Sequence, residues 1–99
     1  MTLKETLRGA GLRAPLDPEW ETLPVASLEY DSSRVGPNTL FFAFQGQKTD
    51  GRNYAREAME RGACAVVSEL DRPPGFDGPW IVVEHGRRAL ALAARAFYG

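Results

Sequence analysis

Two polar loops carry most of the side chains in this sequence that could recognise a small molecule. The first, Asp31-Ser32-Ser33, offers a carboxylate and two hydroxyls. The second, "QGQKTDG" from Gln45 to Gly51, offers the amide of Gln47, the ammonium of Lys48, the hydroxyl of Thr49 and the carboxylate of Asp50. Between them lies a bulky apolar run, Leu40 to Phe44, and just before the first loop stand Leu28 and Tyr30, which could wall a flat ring. If the second loop leads into a helix, its free N–H groups and the helix dipole favour an anion. Short hydroxyl and amide donors, one cation and an apolar wall together suit a nucleoside diphosphate. A purely structural reading stands beside this one. Asp-Ser-Ser is a common turn after a strand, Thr-Asp-Gly is a common helix cap, and a single lysine is commonly a solvated surface residue.

Other chemistries find no support. The sequence has no G-x-x-x-x-G-K-[ST] phosphate loop and no G-x-G-x-x-G fingerprint. With one histidine and one cysteine there is no zinc-ligand spacing. His85 precedes a helix-like stretch, which gives it a cap or surface role, and Cys64 lies in an apolar run where it packs as a small hydrophobe. No nucleophile stands beside a candidate base, so no catalytic residue and no metal ligand is assigned.

The elements that must position the two loops follow from periodicity. Leu3, Leu7, Ala10 and Gly11 suggest a short first helix ending at a glycine, and "APLDPEWETLP" reads as an irregular connection. Val25 to Tyr30 alternates, with Leu28 and Tyr30 on one side and Ser27 and Glu29 on the other, as a strand does. "LFFAF" is apolar on both faces, which fits a central strand. Tyr54, Ala55, Ala58 and Met59 share one face of a helix that Gly62 would end and Thr49 or Asp50 would cap. "ACAVVSE" and "WIVVE" are two further strands, separated by a proline-rich loop. In the final helix Leu90, Ala93, Ala94 and Phe97 line the apolar face. The order from Leu40 onward contains a βαβ unit, whose strands should be parallel with a right-handed crossover. The expected fold is a small, three-layer-like α/β domain with a mainly parallel sheet. In such a sheet ligands sit beyond the carboxyl ends of the strands, and both polar loops leave such an end.

Composition sets outer limits. The chain has 99 residues, one domain's worth, with 43% hydrophobic and 25% charged residues, as in an ordinary globular protein. A net charge of -1 argues against a nucleic-acid or membrane-surface partner. The N-terminus lacks the apolar core of a signal peptide, and no stretch approaches the roughly 18 apolar residues of a membrane span. A cytoplasmic protein is the simplest reading.

From Tyr30 to Glu69, "YDSSRVGPNTLFFAFQGQKTDGRNYAREAMERGACAVVSE" resembles the N-terminal domain of the Mur ligases of peptidoglycan synthesis. The family pattern runs D-S-R-x-V-x-P-G-x-L-F-V-A before the second loop and D-G-x-x-[FY] from its end. The match covers about forty residues in order, without a gap, which is far more specific than a single short motif. The resemblance is greatest to the ligases that add a diamino acid, meso-diaminopimelate or L-lysine, to UDP-N-acetylmuramoyl-L-alanyl-D-glutamate through an acyl phosphate. The branch that adds D-alanyl-D-alanine is second, and a stand-alone UDP-sugar binding module is a further alternative.

The resemblance implies that residues 1–99 form a single UDP-binding domain of a larger ligase. Other domains would hold ATP and Mg, and this one would need no cofactor of its own. Carried over by position, Tyr30 would line the uracil site and Ser32 would hydrogen-bond the nucleotide. Gln47, Lys48 and Thr49 would form the loop over uracil and diphosphate, while Asp31, Asp50 and Gly51 would shape the two loops. Three positions depart from the pattern. Ser33 stands where arginine is usual, Asn38-Thr39 replaces Gly-Asp in the turn, and Gln47 holds a position where His or Glu is frequent.

Overall fold

Leu40, Phe41, Phe42 and Ala43 alternate between two cores, and that alternation organises the domain. In the computed structural model, which describes residues 1–44 and 54–99, the first three belong to the second of four strands and Ala43 follows it directly. The strands are β1 (Ser27–Glu29), β2 (Thr39–Phe42), β3 (Ala65–Ser68) and β4 (Trp80–Val82). They pair in the order β1-β2-β3-β4, each pair parallel, with Leu28 opposite Leu40, Leu40 opposite Ala65 and Val66 opposite Trp80. The expected mainly parallel sheet is therefore parallel throughout these strands. Every residue of β2 and β3 is buried, as a strand covered on both faces must be.

One face of the sheet carries Leu40, Phe42, Ala65, Val67, Ile81 and Val83. It is covered by α1 (Leu3–Thr6), through Leu3 and Leu7, and by α3 (Gly86–Tyr98), through Ala89 and Ala93. The other face carries Phe41, Ala43, Val66 and Trp80, covered by α2 (Ala55–Glu60) through Ala55 and Ala58. Phe41 and Phe42 are almost wholly buried on opposite faces. Burial of each contributes about 1.5–3 kcal/mol.

The first helix is shorter than its apolar pattern suggests. Thr2 and Glu5 form a capping box, in which the Thr2 hydroxyl accepts from Glu5 N at 3.2 Å and the Glu5 carboxylate accepts from Thr2 N at 2.9 Å. The helix nevertheless ends at Thr6, and Gly9 and Gly11 then turn the chain with φ of 79° and 75°. Within the connection read as irregular, Pro18–Trp20 forms a 3₁₀ turn capped by Asp17. Tyr54 corrects another expectation. It stands exposed at the N-cap of α2, while Ala55, Ala58 and Met59 face the core.

Only the β2-to-β3 connection uses an α-helix. The chain between β1 and β2 carries a 3₁₀ turn, Ser32–Arg34, and packs Val35 on the α2 face. From β3 to β4 it passes through the proline-rich loop, which lays Phe76 edge-on against Trp80 at 5.0 Å between ring centres. Trp80 Nε1 donates to the Leu70 carbonyl at 2.9 Å, which ties that loop down.

At the amino end of the sheet, Asn38 holds the turn into β2 with φ of 59°, a left-handed conformation that asparagine tolerates better than most residues. It thus meets the backbone need served by glycine in the family pattern. Asn38 N donates to the Gly62 carbonyl at 2.8 Å, and Ala26 N donates to the Asn38 carbonyl at 2.8 Å. Thr39 is buried, with its hydroxyl 2.8 Å from that of Ser27 and accepting from Gly36 N at 3.2 Å.

Candidate functional site

β1 and β2 are parallel neighbours, so the chain leaves both at the same edge of the sheet. The first polar loop begins there as a tight turn. Asp31 accepts at one carboxylate oxygen from Ser33 N at 3.0 Å and from the Ser33 hydroxyl at 2.7 Å. Those bonds, the hydroxyl's first, hold the Asp31 carboxyl below its ordinary range. Ser33, at the family's usual arginine position, therefore closes the turn. Arg34 lies beside Glu29 at 3.9 Å. The same Glu29 side chain accepts from Tyr30 N at 3.1 Å and Asp31 N at 3.2 Å. The carboxylate of Glu29 thus occupies two backbone donors at the start of the loop.

Ser32 is the hydroxyl in this loop with the loosest hold. It donates to the Glu57 carboxylate on α2 at 3.4 Å, the long end of the hydrogen-bond range, and so is available to a better acceptor. Tyr30 lies on the same side as Leu28, as the alternation predicts. The residue is 63% exposed, which leaves it accessible to a ligand, and its ring sits 5.9 Å from the Phe44 ring at an angle of 35°. Asp31, Ser32 and Tyr30 are thus brought together at the carboxyl edge. Gln47, Lys48, Thr49, Asp50 and Gly51 lie outside the described residues, as do the capping roles assigned to Thr49 and Asp50.

Sequence reasoning missed a second group at this edge. Phe44, read as the end of a core strand, is half-buried and follows β2 at this edge, packed against the α1–α3 core. The guanidinium carbon of Arg87, at the start of α3, lies 4.8 Å from the centre of the Phe44 ring. Gly86 makes that approach possible. A Cβ there would meet Phe44 Cδ1 at 3.3 Å and a Glu69 carboxylate oxygen at 3.1 Å. The available signal was positional, since Glu69 follows β3 and Arg87 follows β4 closely, both at carboxyl ends of parallel strands.

His85 takes the N-cap position of α3, but its exposed side chain makes no capping bond. Cys64 is half-buried and burial pushes its thiol up to about 11, which suits packing rather than nucleophilic chemistry. Among the described residues no group of three or more His, Cys, Asp or Glu is placed to hold a metal ion. Among them too, no helix is long and apolar enough to cross a membrane.

Comparison with known proteins found sequence relatives and solved structures of the same fold. A UDP-N-acetylmuramoyl-L-alanyl-D-glutamate–2,6-diaminopimelate ligase of Solibacter usitatus (strain Ellin6076) is 54% identical over 99 residues, which cover all of this chain and 20% of that enzyme. The ligase of the same name from Geobacillus kaustophilus (strain HTA426) is 47% identical over 75 residues, 76% of this chain and 15% of that one. The chain therefore spans about a fifth or less of the length of these curated relatives. Among solved structures, MurF from Acinetobacter baumannii superposes with a TM-score of 0.71 over 97% of this chain and 20% of its own. At 18% identity that likeness shows the shared fold. The model of the Mur ligase family, catalytic domain, matches residues 24–98, from the approach to β1 to the last turn of α3. On the length of that match and the identity to the Solibacter enzyme, this chain belongs to the Mur ligase family.

Proposed function

We propose that this chain is the N-terminal, UDP-binding domain of an ATP-dependent ligase of peptidoglycan synthesis. The ligase adds 2,6-diaminopimelate to UDP-N-acetylmuramoyl-L-alanyl-D-glutamate, activating the D-glutamate carboxylate as an acyl phosphate. The observation that carries this reading is the 54% identity, over the whole chain, to a ligase named for that reaction. ATP and Mg would be held by other domains of the cytoplasmic parent enzyme, because this sequence has no phosphate loop for ATP. The domain's own task is to hold the nucleotide end of the substrate. Tyr30 flanks uracil and the Ser32 hydroxyl exchanges Glu57 for a substrate oxygen. Gln47, Lys48 and Thr49 complete the crevice, with Asp31, Asp50 and Gly51 shaping its two loops. The alternative, addition of D-alanyl-D-alanine, draws support from the fold shared with MurF. The identity to diaminopimelate ligases favours the first reading.

Titration of the chain with UDP-N-acetylmuramoyl-L-alanyl-D-glutamate, with UDP as the simpler ligand, tests the proposal by amide NMR shifts. Shifts clustered at Tyr30 to Ser33 and Gln47 to Gly51 are expected. Shifts confined to other surfaces would sink it.

A further inference from the structure

Resting on the nucleotide-binding reading above, we infer that Arg87 contributes a cation to the site and contacts the diphosphate of the bound nucleotide. Tyr30, Phe44 and Arg87 form a row along the carboxyl edge of the sheet, contributed by the ends of β1 and β2 and the start of α3. The row is anchored in the interior, since Phe44 also lies 6.4 Å from the buried Phe42 ring. Its outer members, Tyr30 and Arg87, are exposed.

A cation–π contact holds a guanidinium in place without consuming its N–H donors. Arg87 over Phe44 therefore keeps a planar fork of donors for an anion, the geometry that suits bidentate recognition of a phosphate. The spacings also suit the ligand. Tyr30 and Arg87 both lie against the Phe44 ring, so a base against Tyr30 leaves its phosphates within reach of Arg87. A diphosphate carries more than one negative charge, and Lys48 is the one cation that the two polar loops themselves supply. Arg34, just beyond the first loop, is already beside Glu29. Gly86 has a specific place in the arrangement, because any side chain there would push against Phe44 and Glu69.

The test is a comparison of UDP and uridine binding to the chain and to Arg87→Gln, by NMR titration. Loss of about tenfold in UDP affinity is expected, with uridine affinity changed less than twofold, since the uncharged nucleoside lacks the group that Arg87 contacts. The salt dependence of UDP binding should weaken in the same variant. Equal UDP affinity in the two proteins would overturn the inference while leaving the nucleotide site standing. An equal loss for UDP and uridine would also overturn it, by showing that Arg87 acts through Phe44 alone. Wild-type protein that binds no UDP at millimolar concentration would remove both the site and the inference. If Arg87→Gln does not fold, Arg87→Lys carries the comparison. It keeps the charge, loses the fork, and should weaken UDP by several-fold more than uridine. Wild-type UDP affinity that is the same at low and high salt would count against a phosphate contact in either case.

Discussion

Gly62→Ala probes the junction that sets the start of β2. Gly62 follows α2 with φ of 109°, and a Cβ there would fall 2.9 Å from Pro37 Cα and 3.2 Å from the Gly36 carbonyl oxygen. Both neighbours are backbone, and the turn that contains them is pinned by the bond from Asn38 N to the Gly62 carbonyl, so it has little freedom to yield. Positive φ costs an L-residue about 1–2 kcal/mol. Forcing a methyl into a packed junction adds about 1–3 kcal/mol. The loss of glycine's freedom in the unfolded chain returns about 0.4–1 kcal/mol. The net expectation is a destabilisation of about 2–3 kcal/mol, or about 10–20 °C in Tm for a domain of this size. Urea denaturation measures it directly, with Gly75→Ala as the control. Gly75 has φ of 80° but nothing within 4 Å of its Cβ, so only the backbone cost applies and the loss should stay below about 1.6 kcal/mol. A Gly62→Ala loss no larger than that of Gly75→Ala would refute the close-approach argument. The substitution lies at the amino end of the sheet, so nucleotide affinity of the remaining folded protein should not change.

Three other outcomes are expected. Asn38→Ala should cost about 1 kcal/mol by urea denaturation and Asn38→Gly much less, because φ of 59° is what strains alanine there. Ser32→Ala should weaken UDP binding by about 1 kcal/mol, read by titration, while an unchanged Kd would remove its hydroxyl from the site. The stabilisation from Asp31 is complete above the 3.8 of an unperturbed aspartate and is lost as pH falls through its lower folded value, because the unfolded chain takes up the proton first. The Ser33 amide shift, followed by NMR in acid, should therefore titrate with a midpoint below 3.8, and a midpoint above it would contradict the turn geometry.

The parts of the fold visible in the sequence were those with a strong period. β2 announced itself by being apolar on both faces, and the unit from Leu40 to Ser68 gave the parallel pairing. Leu28 packs with the α1–α3 core as alternation along a strand predicts, and Tyr30, just past the strand, meets Phe44, which packs on the same core. Tyr54 misled because an aromatic beside two alanines resembles a buried stripe, whereas α2 begins one residue later and leaves its ring outside. The two helix-free connections were legible as loops from their turn residues, but it was not legible that Val35 and Phe76 would cover the face that a helix would otherwise cover. At the site, the first loop could be read from its short polar residues. The pairing of Phe44 with Arg87 could not, because it joins residues far apart in sequence that meet only once four strands are aligned.

The opening dozen residues fix an order of events. Met1 and Thr2 are joined to Val25 and Pro24 beside β1, the first strand of the sheet, and Leu12 bridges Val83 beside β4, the last. Between these points the segment lays Leu3 and Leu7 across the face that also receives α3. A segment that precedes β1 in the chain therefore binds to a surface completed only when β4 and α3, which follow it, are in place. Until then Leu3, Leu7 and Ala10 have only part of their eventual shelter, so docking of this segment depends on β4 and α3.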